Sequence, residues 1–246
     1  MKRWTCLLAL LLATSGCTAQ PTPTPSSEPT METAGLTQTA DQLAEMLVSQ
    51  LGAASVQYAL MDGDQIVVSG QRGVFARGSD QALSPNDQYA IGSVSKMFTA
   101  AAVMKLQEEG KLKLDQPVVE LLPEFTMADE RYSEITVRML LNHSAGLPGS
   151  TFDEGFVFAP STAAHDTFLG TLKTMRLQAD PGAYSVYSND CYVLAELVVE
   201  KVSGQDFTSY LRSQFLEPLD MGRTQTPVEN VDFSAMPKVY SASQPE

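Results

Sequence analysis

Cysteine is scarce in this 246-residue chain, with residues only at positions 6, 17 and 191. Two of the three lie in the first seventeen residues, so Cys191 is the only one the folded part would hold, and an internal disulfide is excluded. As an isolated cysteine in an apolar stretch, Cys191 reads as a small buried hydrophobe. Histidine is scarcer still: His143 and His165 stand alone with no ligand spacing around them, so no zinc site and no cofactor is expected. Basic residues are outnumbered, 16 against 29 acids, for a formal net charge of -13. A chain this acidic repels phosphate backbones, which excludes nucleic acid as a partner. There is no Gly-x-Ser-x-Gly elbow, no phosphate loop, no dinucleotide glycine pattern, no internal repeat and no apolar run long enough to span a bilayer.

What is present begins with a leader. Lys2 and Arg3 precede the apolar stretch Leu7–Ala13, and Thr14-Ser15-Gly16-Cys17 follows. This arrangement resembles a signal peptide ending in the lipobox of bacterial lipoproteins. The resemblance implies cleavage after residue 16, acylation of Cys17, and an exported protein held on the outer face of the cytoplasmic membrane. Thr14 stands where an aliphatic residue is usual, so ordinary secretory cleavage is the alternative. Residues 17–35 are rich in Pro, Thr, Ser and Glu, a composition that makes a solvated tether. Residues 36–246, 43% apolar for the chain as a whole, carry the folded domain.

Apolar residues Leu36, Ala40, Leu43, Met46, Leu47 and Leu51 recur at helical spacing. Two strand-like runs, Ser55–Met61 and Gln65–Gly70, are joined by Asp62-Gly63-Asp64, a hairpin signal. Helical patterns follow over Val118–Leu122, Thr136–Leu141, Tyr192–Val202 and Phe207–Leu216. A hairpin followed by mostly helical chain is an α+β pattern. Asp129-Glu130 and Asp153-Glu154 read as solvated surface.

Ser93-Val94-Ser95-Lys96 is the only Ser-x-x-Lys in the chain. Residues three apart share a helix face, so hydroxyl and amine can meet. The uncharged run Met97–Met104 behind them predicts a helix apolar on every side and buried, with Ser93 in its first turn. There the unpaired N–H groups favour a developing oxyanion. A serine needs a base to become a nucleophile, and Lys96 in apolar surroundings is a candidate. Tyr187-Ser188-Asn189 is the only Tyr-x-Asn. A tyrosine beside that lysine can act as general base, and the amide of Asn189 can accept from the lysine and donate to a substrate carbonyl.

Ile91–Ala100 resembles the nucleophile segment of the serine β-lactamase and DD-peptidase (penicillin-binding) superfamily, in its class C β-lactamase-related branch. Leu140-Leu141-Asn142-His143-Ser144-Ala145-Gly146-Leu147-Pro148 resembles that branch's Leu-Leu-x-His-x-Ser-Gly-Leu segment. Pro181-Gly182, Tyr187-Ser188-Asn189 and Val202-Ser203-Gly204 match its second motif and surroundings. The resemblance covers Ser55 to Thr224. It implies an α+β, β-lactamase/transpeptidase-like fold, an antiparallel sheet flanked by helices plus a helical subdomain. It also implies an acyl-enzyme serine hydrolase without metal or cofactor. Ser93 would be the acylated nucleophile, Lys96 proton acceptor and organiser, Tyr187 base and later acid, and Asn189 the holder of the substrate amide. Implied substrates are small molecules or peptides: a D-alanyl wall peptide, a β-lactam or a small ester. Cys191 stands where the family often has glycine. The family's third motif, Lys/His-Thr/Ser-Gly, does not follow Tyr187, and Lys173-Thr174-Met175 is no substitute. The C-terminal strands are therefore expected to be missing, and a non-catalytic, penicillin-binding-like lipoprotein is the alternative function.

Overall fold

The computed structural model describes residues 31–149, 163–226 and 233–240, so the leader, Cys17, Asp153 and Glu154 lie outside the described residues. The described chain falls into two compact units, one of residues up to Pro85 with Lys238 onward, the other Asn86–Pro237.

The first unit is a helix on a hairpin. α1 (Met31–Ser49) starts five residues earlier than the apolar spacing predicts. Its leucines do not form the contact face: Leu36 and Leu43 are exposed, and the small Ala44 is buried instead. Polar bonds hold the helix to the sheet. Asp41 accepts from the Tyr58 hydroxyl of β1 (Ser55–Asp62) and pairs with Arg72 of β2 (Gln65–Gly73) at 2.6 Å. The strands are antiparallel, with Asp62 opposite Gln65. That leaves the two-residue loop Gly63-Asp64, and Gly63 takes the positive φ of +59° that a Gly-first hairpin turn requires.

The second unit carries the core. A 3₁₀ turn, Gly92–Ser95, leads into α2 (Lys96–Glu108), so Ser93 lies in that turn and Lys96 opens the α-helix. The expectation that α2 is buried all round needs correction. Thr99, Ala102, Val103 and Leu106 are buried, an i, i+3, i+4, i+7 face, whereas Met97 and Met104 on the other side are 64% and 43% exposed. Apolar composition did not distinguish the two faces.

α3 (Val118–Leu121) and α4 (Val137–Leu141) are short, and α4 is capped by the Thr136 hydroxyl, which accepts from the Met139 N–H. α5 (Ala163–Leu172) has no counterpart among the predicted helices; it buries Phe168 and Leu172. α6 (Asn189–Ser203) begins three residues before the predicted start, because Ser188 caps it, and ends at Gly204 with φ +72°. α7 (Phe207–Leu211) passes into a π turn at Arg212–Leu216, so only half of the predicted final helix is α. α6 packs against α2 and α4. Val103, Leu106, Leu140, Leu194 and Val198 are fully buried together with Phe125 and Ile135. At about 25 cal/mol per Å² of apolar surface, side chains of this size each contribute roughly 1.5–3 kcal/mol on burial. The two elements that bear Lys96 and Asn189 are thereby pressed together by the core beneath them.

Candidate active site

Ser93 is placed by the 3₁₀ turn, which Gly92 enters with φ +51°. Residues i and i+3 eclipse in such a turn. Lys96 accordingly donates to Ser93 Oγ at 3.2 Å. Its Nζ also donates to Asn189 Oδ1 at 2.7 Å. The Tyr187 hydroxyl shares a 2.6 Å hydrogen bond with Ser93 Oγ, and Lys96 Nζ lies 4.8 Å from the Tyr187 ring centroid. The structure therefore brings together Ser93, Lys96, Tyr187 and Asn189, drawn from two segments some ninety residues apart. The fifth residue singled out in the sequence, Cys17, is outside the described residues.

Electrostatics within the cluster favour a proton acceptor at Tyr187. The Lys96 ammonium beside the phenol, together with the Ser93 hydroxyl, holds the Tyr187 phenol below its ordinary range. Cys191, by contrast, is buried in the first turn of α6, and burial pushes its thiol up to about 11, away from the thiolate form.

The Tyr187 segment is held from below by the loop after α4. Gln178 N–H donates to Gly146 O at 2.9 Å, Gly182 N–H to Ser144 O at 2.7 Å, and Val186 N–H to His143 O at 2.9 Å. Gly146, with φ +74°, is required here, since a Cβ would sit 2.3 Å from Ala179 O. Ser188 engages both its N–H and its hydroxyl. Its N–H donates to His143 Nδ1 at 3.2 Å, its hydroxyl donates to Gly149 O at 2.6 Å, and the same oxygen accepts from Cys191 N–H. Arg131 ties the entrance of this loop by pairing with Asp180 and, at 2.6 Å, with Asp129. Asp129 is buried rather than solvated surface as its sequence context suggests, and Arg131 holds its carboxyl well below the usual carboxylate range.

In the sequence His143 is marked only by its place in the Leu140–Pro148 segment and by the lack of metal-ligand spacing around it. In the structure its ring lies 4.7 Å from that of Tyr187 and 5.1 Å from that of Tyr192. The signal available in the sequence was the Asn-His pair before Ser144-Ala145-Gly146, residue types tolerant of left-handed backbone. Among the described residues no group of three or more His, Cys, Asp or Glu is arranged to hold a metal ion. Also among them, no helix is long and apolar enough to cross a membrane.

A family model described as Beta-lactamase matches residues 36–245. Protein flp of Staphylococcus aureus (strain COL) is 33% identical over 142 residues, 57% of this chain and 28% of that protein. Among solved structures, a D-stereospecific amidohydrolase from Streptomyces sp. superposes with TM-score 0.63 at 29% identity, covering 76% of this chain and 55% of that one. A class C beta-lactamase in complex with cefoxitin superposes with TM-score 0.75 at 21% identity, covering 87% of this chain and 58% of that one. The chain thus spans little more than half the length of these structures and under a third of flp.

Proposed function

This chain belongs to the β-lactamase family, and from that premise we propose that it is a serine hydrolase that opens an amide or ester through an acyl-enzyme on Ser93. The observation that carries the reading is the 2.6 Å bond between Ser93 Oγ and the Tyr187 hydroxyl, with Lys96 bonded to the same serine. Tyr187, held low by Lys96, takes the Ser93 proton as Oγ attacks the carbonyl carbon. The carbonyl π electrons move to its oxygen, over the N–H groups of the turn that opens α2. On collapse the C–N or C–O bond breaks, and Tyr187 returns the proton to the leaving group. Water then attacks the acyl-enzyme, losing its proton to Tyr187 and restoring Ser93. Asn189 accepts from Lys96 through Oδ1, and in this reading its amide nitrogen supplies the N–H groups that donate to the substrate carbonyl.

Of the substrates considered, the likeness to a D-stereospecific amidohydrolase supports an amide of a D-configured residue, ahead of a β-lactam or a small ester. A second reading, a penicillin-binding-like protein that binds without turnover, is favoured by the openness of the site. Tyr187 is 53% exposed. Electrostatic stabilisation is weaker where water enters. Turnover of a D-alanyl p-nitroanilide, a chromogenic cephalosporin and a p-nitrophenyl ester separates the readings. The hydrolase reading requires release of chromophore that Ser93→Ala abolishes; equal rates in both proteins would end it.

We also propose that Cys17 is acylated and anchors the protein outside the cytoplasmic membrane, supported by Lys2, Arg3, the short apolar run and Ser15-Gly16-Cys17. A palmitate analogue fed to expressing cells should label the chain, and Cys17→Ala should lose both label and membrane fractionation. Unlabelled, released wild-type protein would point to simple secretion instead.

A further inference from the structure

His143 has a left-handed backbone, φ +61°, one of two such non-glycine residues among those described. This conformation is disfavoured for a residue with a Cβ and persists where the surroundings hold it. Here three parts of the residue engage the Tyr187 segment. The His143 carbonyl accepts from Val186 N–H, Nδ1 accepts from Ser188 N–H, and the ring lies tilted 35° against the Tyr187 ring. His143 therefore grips the residues on both sides of Tyr187 and the phenol between them.

We propose that His143 is the positioning residue for Tyr187: a neutral imidazole, protonated at Nε2 and accepting at Nδ1, that seats the phenol on Ser93. The inference rests on the reading of Tyr187 as proton acceptor. An N–H donor opposite Nδ1 fixes the tautomer, since an imidazolium carries donors on both nitrogens and would oppose Ser188 N–H with another N–H. The titratable and charged groups that meet the ring are Lys96 on α2, Tyr187, and Tyr192 on α6. Burial, and after it the Lys96 charge, disfavour the imidazolium, so His143 titrates below its ordinary value. Protonation releases the Ser188 amide and, with it, the seat of Tyr187.

The test uses the full chain labelled at histidine ¹⁵N and tyrosine ¹³Cζ, with variants His143→Phe and His143→Asn. Phenylalanine keeps a ring and removes the acceptor. Asparagine restores an acceptor, Oδ1, close to the place of Nδ1 and tolerates left-handed backbone. At neutral pH wild-type His143 should be the Nε2–H tautomer. The Tyr187 titration should rise toward about 10 in His143→Phe and return in His143→Asn. Acylation of Ser93 by a fluorescent penicillin should fall about 10²-fold in the first variant and recover in the second. A Tyr187 titration identical in wild type and His143→Phe would overturn the proposal. If that variant does not fold, an Nδ1–H tautomer in the wild type would overturn it alone. A chain whose Tyr187 titration responds as expected but whose Ser93 takes no acyl group sinks the hydrolase reading and keeps the positioning role. Unimpaired acylation of His143→Phe does the reverse.

Discussion

Ser93 and Tyr187, 94 residues apart in sequence, share a hydrogen bond of 2.6 Å through their hydroxyls. In the proposed mechanism this bond carries the proton from the nucleophile to its base, and the consequences can be measured.

Tyr187→Phe removes the phenol oxygen and keeps the ring on His143. Acylation should slow by about 10²–10⁴-fold, with little change in melting temperature. The wild-type rate should rise with pH, because the base works deprotonated. It should level off below the ordinary tyrosine value of about 10, because Lys96 and Ser93 lower the Tyr187 phenol. Stopped-flow labelling across pH checks both; a rate independent of the hydroxyl would remove Tyr187 from the chemistry.

Lys96→Met takes away the cation that heads the causes of that lowering. The pH profile should move to the alkaline side and the rate at neutral pH should fall. Asn189 loses its donor partner as well, so substrate binding should weaken together with the rate. An unmoved profile would show that Lys96 does not set the base.

Much of this site was legible in the sequence. Ser93, Lys96, Tyr187 and Asn189 stood out as unique spacings, α2 was visible as an uncharged run followed by the terminator Gly110, and α6 because its apolar residues repeat every third or fourth position. The supporting loop was not. His143, Ser144 and Gly146 act through backbone bonds to residues 178–186, and hydrogen bonds between distant backbones leave no periodic trace. Asp129 looked like surface because its neighbour is acidic, whereas its buried setting joins the nearby Arg131 to Leu177 N–H, a partner that only folding brings close. The burial of α2 was overread for a related reason: eight uncharged residues do not say which of them meet a neighbour.

Gly146→Ala should destabilise the second unit by at least about 1–2 kcal/mol, the cost of a left-handed alanine, with the approach to Ala179 O in addition. Gly222→Ala, where a Cβ meets nothing within 4 Å, is the control. Chemical denaturation measures the difference; equal midpoints would mean that the 146–178 pairing is dispensable.

Asp129→Asn should be destabilising at neutral pH, and the gap to wild type should close in acid. The folded carboxyl lies well below its unfolded value of about 3.9, so its contribution is complete above that value and lost as pH falls beneath it. Melting temperatures of both proteins from pH 7 to pH 2 should converge; a constant gap would assign the loss to packing rather than to the Arg131 pair.

The most direct measurement is the intact mass of the full chain after exposure to benzylpenicillin, followed by peptide mapping. The account predicts one adduct of the whole penicillin mass on the peptide containing Ser93, absent in Ser93→Ala and slow to form in Tyr187→Phe. An adduct on another residue, or none at any pH, would contradict Ser93 as the nucleophile.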